Sequence, residues 1–201
     1  MEFRDLKKQY QENKANIDAG IQKVIDNTCF IQGEQVKELE ETLAKYVGVK
    51  HCISCANGTD ALQLALMAWN VGKGDAVFVP DFTFFSSGEV VSAVGAVPVF
   101  VDVDEDTYNI SVHSLECMIK KTIDEGALIP KAIIAVDLFG QPAWYSEIKK
   151  IAEKYHLYIL EDAAQGFGGS IGETRACAFG DISTTSFFPI RTLSYFEVPF
   201  P

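Results

Sequence analysis

The sequence predicts an α/β protein, a mainly parallel sheet sandwiched by helices. Three observations predict it. From residue 50 onward, short runs that are apolar throughout replace the alternation expected of a half-exposed sheet. A stretch of helical periodicity separates most neighbouring runs, as crossovers between parallel strands require. A hydrophobic fraction of 48% in 201 residues is enough to cover both faces of such a sheet.

The elements follow in chain order. Leu6 to Ile25 carries apolar residues loosely at helical spacing among many charges. "DNTCFIQG" then reads as a loop, and "GEQVKELEETLAKYVG" as an amphipathic helix with Val36, Leu39, Leu43, Ala44 and Tyr46 on one side. The predicted strands are His51–Ser54, Ala76–Val79, Val97–Val101, Ala132–Val136, Leu157–Leu160 and Ile182–Phe187. The predicted helices between them are Thr59–Trp69, Ser86–Val94, Ser114–Lys121 and Tyr145–Tyr155. The expected organisation is a helical segment over 1–49, a ligand-binding domain over 50–190 and an atypical tail over 191–201. No repeat or low-complexity tract interrupts it.

A formal net charge of −11 argues against nucleic acid as a main partner, because phosphate backbones need clustered Lys and Arg. A small phosphorylated ligand remains compatible, since a few backbone N–H groups can hold it. The first ten residues are polar and charged, with no signal-like apolar core, and no stretch reaches the ~20 apolar residues of a membrane span. The expectation is a cytoplasmic protein with no membrane contact. Five cysteines at irregular spacing fit reduced thiols better than a disulfide framework. Cys52-Ile-Ser-Cys55 is formally a CxxC. On a strand its two thiols would face opposite sides, and no second pair completes a metal site, so buried structural cysteines are expected.

In open parallel sheets, ligands bind beyond the carboxyl ends of the strands. Four such ends carry suitable chemistry. "NGTDAL" opens a helix at Gly58, where free N–H groups could meet an anion or simply follow an Asn cap. "PDFTFFSS" places aromatics around Thr83, for stacking or for core packing. "EDAAQGFGG" sets Glu161 and Asp162 directly after an apolar run; such carboxylates are costly unless paired, and a protonated ring nitrogen or a solvated loop would both relieve them. The glycines of that run do not complete a dinucleotide fingerprint, because Ile171 stands where the third glycine is needed. Ser186 stands at the end of the last run.

Taken in order, "NGTDALQLAL", "VPDFTFFSS", "GAVPVFVDVDEDTYNI", "DLFGQPA", "EDAAQGFGG" and "GDISTTSFFP" resemble the DegT/DnrJ/EryC1/StrS family of pyridoxal-phosphate (PLP)-dependent sugar aminotransferases. The resemblance implies the large domain of a fold type I PLP-dependent transferase. It also implies a role for each strand-end group. Gly58, Thr59 and Asp60 would hold the cofactor phosphate, with Ser186 bonding one of its oxygens. Phe84 would stack on the pyridine ring, Asp162 would pair with the ring nitrogen, and Gln165 would contact the ring hydroxyl side. The partners it implies are a nucleotide sugar, glutamate and a second copy of the chain as a homodimer.

The resemblance breaks first at one residue. The family places its Schiff-base lysine five residues after the serine, and this chain has Arg191 there. A neutral amine must attack the cofactor aldehyde, and a guanidinium stays protonated. The expectation is a chain that binds PLP non-covalently at most and is catalytically impaired, or one that serves as a PLP-binding or regulatory protein. "TLSYFEVPFP" also departs from the family pattern, so a chain cut short before the C-terminal small domain is expected, with exposed apolar surface and a tendency to self-associate.

Overall fold

The structure is a computed structural model that describes residues 5–188. Arg191 and the tail expectation lie outside the described residues. The chain divides between Ser54 and Cys55 into two compact units.

The first unit carries two helices. α1 (Leu6–Asn27) starts where the Asp5 carboxylate accepts the Lys8 N–H at 2.8 Å, and stops at Thr28, which turns left-handed. α2 (Glu34–Val47) ends at Gly48, whose φ of 88° favours glycine. The strand expected at His51–Ser54 does not form; the segment is irregular. The Glu40 carboxylate takes both the N–H and the hydroxyl of Ser54, at 2.7 and 2.8 Å, where a ladder would have taken the N–H. Cys52 is therefore only half-buried, and burial together with the Glu40 charge pushes its thiol pKa up.

The second unit holds the sheet. Its elements are α3 (Gly58–Ala68), β1 (Asp75–Pro80), α4 (Ser86–Ala93), β2 (Val97–Val101), α5 (Val112–Glu125), β3 (Ile129–Val136), α6 (Tyr145–Tyr155), β4 (Tyr158–Asp162), β5 (Ser170–Ile171), β6 (Thr174–Arg175) and β7 (Ile182–Thr184). The main sheet has the order β2-β1-β3-β4-β7 and every pairing in it is parallel. β5 and β6 form a small antiparallel hairpin around Gly172. The glycine run after Asp162 thus enters a hairpin and opens no helix. Cys55, in this unit, is exposed rather than buried.

Both sheet faces are apolar for one reason: side chains alternate along each strand. Ala76 and Phe78 of β1, Ile133 and Ala135 of β3 and Ile159 of β4 pack with Leu115 and Ile119 of α5 and Ile148 of α6. Val77 and Val79, Ala132 and Ile134, and Leu160 pack on the other face with Leu62 and Leu66 of α3 and Val90 and Val91 of α4. Burying each large apolar side chain contributes about 1.5–3 kcal/mol, so register is strongly set. β1 lies between β2 and β3, so the chain reverses its winding direction there, which opens a crevice at the carboxyl ends.

Candidate functional site

Four short segments come together around that edge. The first is the start of α3. The Asn57 side chain caps it, accepting the Asp60 N–H at 2.9 Å and donating to the Asp60 carboxylate at 3.0 Å. Among the described residues, the N–H groups of Gly58 and Thr59 are left without a partner, at the positive end of the helix dipole.

The second is the chain just after β7. Ser186 is buried and lies directly against Gly58: a Cβ on that glycine would come within 3.0 Å of the Ser186 Cβ and 3.4 Å of its Oγ. The missing side chain lets the Ser186 hydroxyl come up against the helix start, and this polar juxtaposition is the cup.

The third is the first turn of α4, directly after β1. Ser86 Oγ lies 2.8 Å from Thr59 Oγ1, tying α4 to the cup. Ser87 is fully buried; its Oγ donates to Asp162 Oδ2 at 3.0 Å and lies 3.0 Å from Thr83 Oγ1. The fourth is the end of β4. Asp162 is buried, and its Oδ1 also accepts the Ala164 N–H at 3.2 Å. Gln165 follows on the same turn, and its Oε1 accepts the Phe139 N–H at 2.8 Å, which links it to the turn after β3.

The predicted residues therefore fall into two linked groups: Gly58, Thr59 and Ser186 at the cup, and Asp162 with Gln165 at the end of β4. Asp60 sits in the first turn of α3 with its N–H already donated to Asn57. Phe84 is half-exposed between β1 and α4. Reading the sequence missed the hydroxyls of Thr83, Ser86 and Ser87. The signal was present in "TFFSS", where two serines open a helix right after a buried strand.

Two further carboxylates are buried beside the site. Asp137, after β3, accepts the Ala143 N–H at 3.1 Å and the Tyr145 hydroxyl at 2.7 Å on Oδ1, while Oδ2 has no partner. Burial first, and the Glu161 charge second, push its pKa well above the ordinary carboxylate range. Burial and the Asp137 charge likewise raise the Tyr145 phenol, which keeps its proton and donates. Glu161 is fully buried and satisfied by donors from the 177–183 turn.

The sequence profile of the DegT/DnrJ/EryC1/StrS aminotransferase family matches residues 11–198. The chain belongs to this family. It is 48% identical over 193 residues to the UDP-2-acetamido-2-deoxy-3-oxo-D-glucuronate aminotransferase of Pseudomonas aeruginosa, covering 96% of this chain and 52% of that protein. A DegT/DnrJ/EryC1/StrS aminotransferase from Brucella abortus superposes with a TM-score of 0.93 at 52% identity, over 94% of this chain and 51% of its own. DesV of S. venezuelae, solved in complex with a ketimine intermediate, superposes at 0.87 and 34% identity, over 94% and 49%. This chain spans about half the length of the relatives it matches. The sheet described above is that of the fold type I transferases, and enzymes of the DegT/DnrJ/EryC1/StrS family are PLP-dependent.

The residues present fit that cofactor. A phosphate needs N–H and O–H donors without a crowding side chain, and Gly58, Thr59 and Ser186 carry such donors side by side. A protonated pyridine nitrogen needs a carboxylate held in place, and Asp162 is held by Ser87 and Ala164.

Proposed function

We propose that this chain supplies the PLP-binding part of a nucleotide-sugar aminotransferase, and that Arg191 leaves it without the covalent link. The observation that supports the binding half is the approach of Ser186 to Gly58 at the start of α3, with Asp162 tied to the same region through Ser87 and Ser86. When bound, PLP supplies an electron sink for carbon–nitrogen chemistry. This chain's own residues would do the rest. Gly58, Thr59 and Ser186 bind the phosphate, Phe84 packs on the ring, Gln165 meets the hydroxyl side, and Asp162 holds a proton on the ring nitrogen, since a nearby anion favours the cation.

The chemical half of the reading rests on sequence. Arg191 occupies the family's lysine position, and a guanidinium neither attacks an aldehyde nor returns as a base at neutral pH. The same residue favours a second reading, a PLP-binding or regulatory protein that keeps the fold without turnover. Nucleotide sugar and glutamate as substrates, a homodimer and a cytoplasmic location come from the family resemblance. Exposed Phe82, Tyr108 and Phe139, whose ring centroids lie 5.8–6.4 Å apart, are compatible with a covered face. No helix among the described residues is long and apolar enough to cross a membrane.

Titration of the purified chain with PLP, before and after borohydride, tests the proposal. Saturable binding with no fixed adduct is expected. A borohydride-fixed adduct with amino transfer would overturn the role given to Arg191, and absence of binding would overturn the cofactor site.

A further inference from the structure

Glu161 and Asp162 are neighbours on β4, so their side chains leave opposite faces of the sheet. Asp162 turns to the site. Glu161 is buried completely on the other side. Its Oε1 accepts the Cys177 N–H at 2.5 Å. Its Oε2 accepts the Phe179 N–H at 2.7 Å, the Gly180 N–H at 3.1 Å and the Ser183 hydroxyl at 2.7 Å. Three of these donors are backbone groups of the turn that leads into β7, and the fourth is on β7 itself.

That turn needs an external hold. Cys177 sits at φ 74°, a conformation that a non-glycine residue keeps only where its surroundings over-determine it. Gly180 is pressed between β4 and β7: a Cβ would lie 2.8 Å from Ile159 O and 2.9 Å from Glu161 N on β4, and 2.6 Å from Ile182 O on β7. Beyond the turn, β7 pairs with β4 over three residues, Leu160 with Ile182, Glu161 with Ser183 and Asp162 with Thr184. The pairing is flanked by the Asp181 N–H on Ile159 O at 2.9 Å, the Ile159 N–H on Asp181 Oδ2 at 2.8 Å and the Ala163 N–H on Thr184 O at 2.8 Å. Ser186 follows two residues later, against Gly58.

We infer that Glu161 is a positioning residue for the phosphate cup: by clamping the 177–183 turn it sets β7 on β4, and so places Ser186 opposite Gly58. The identity of the cup's ligand rests on the function proposed above; the clamp itself does not.

Glutamine cannot take over this role, because its NH2 group would face N–H donors on one side of the carboxamide. In the full chain, Glu161→Gln is expected to raise amide hydrogen exchange in both 177–183 and 184–188, with 132–136 of β3 still protected. PLP affinity is expected to fall about tenfold or more, while affinity for pyridoxal, which lacks the phosphate, changes less than about twofold. Ser183→Ala removes one donor of the four and is expected to give a smaller change of the same kind, which guards against a Glu161→Gln chain that does not fold. The inference is overturned if loosening stops at residue 183 with 184–188 as protected as in the wild type. It is also overturned if PLP and pyridoxal weaken equally. A wild-type chain that binds no PLP would remove the cofactor reading alone, and the exchange pattern would still decide the clamp.

Discussion

Gly58 and Ser186 approach so closely that a side chain would crowd them: a Cβ on Gly58 would lie 3.0 Å from the Ser186 Cβ. The glycine's backbone is unremarkable, so its value lies in space and not in a special φ. Gly58→Val should therefore close the cup. Overpacking there costs about 1–3 kcal/mol of stability. PLP affinity should fall about tenfold or more, since each lost bond to a charged group is worth about 1.5–3 kcal/mol. Titration beside a urea unfolding curve separates the two effects. Unchanged affinity would move the phosphate elsewhere.

Ser87 joins Thr83 to the Asp162 carboxylate from a fully buried position. Ser87→Ala removes one donor to a buried carboxylate and should destabilise the chain by about 1.5–3 kcal/mol. A urea midpoint equal to the wild type's would mean that the remaining partners of Asp162 are sufficient.

Arg191→Lys tests the missing link by mass. After PLP and borohydride, the variant should gain the mass of one reduced cofactor on the peptide containing position 191, and the wild type should gain none. Labelling of the wild type at any other lysine would show that the arginine is not the obstacle.

The parallel core was legible because its signal is physical and local. β2 and α6 match the expected spans residue for residue, and β1, β3 and β4 contain or overlap theirs, since buried strands must be apolar throughout. His51–Ser54 was misread for the same reason: an apolar run says nothing about whether a neighbouring strand exists, and here Glu40 takes the Ser54 N–H instead. The hairpin at Ser170–Arg175 was missed because its strands are two residues each and carry no periodicity. At the site, Asp162 stood out as a carboxylate after a buried run, but so did Glu161. Only the structure separates the residue that faces the crevice from the one that clamps the turn, because the separation depends on which donors each face meets. Ser86 and Ser87 carried too little chemistry on their own to be singled out.

Asp137 makes the stability of the chain depend on pH, with a sign that can be worked out. The groups facing it are Tyr145 from α6 and Glu161 and Asp162 from β4. Burial first, with the Glu161 and Asp162 charges, raises its folded pKa well above the unfolded value, against the lowering hydrogen bonds from Tyr145 and Ala143, so the folded chain binds the proton more tightly. Stability from this group is then complete below the unfolded pKa and is lost progressively as pH rises through the window up to the folded one. Asp137→Asn keeps an oxygen for the Ala143 N–H and the Tyr145 hydroxyl. Its NH2 lies where Oδ2 has no partner, and the acid's own proton would lack an acceptor there too. At low pH the variant should match the wild type, and above the ordinary carboxylate range it should be the more stable of the two, by a margin that grows with pH. Asp137→Ala strips both donors of their acceptor, about 1–3 kcal/mol each, at every pH. Urea midpoints across the acid-to-neutral range measure all three. Wild-type and Asp137→Asn curves that run parallel would mean that Asp137 is ionised in the folded chain, despite its bare Oδ2 and the carboxylates around it.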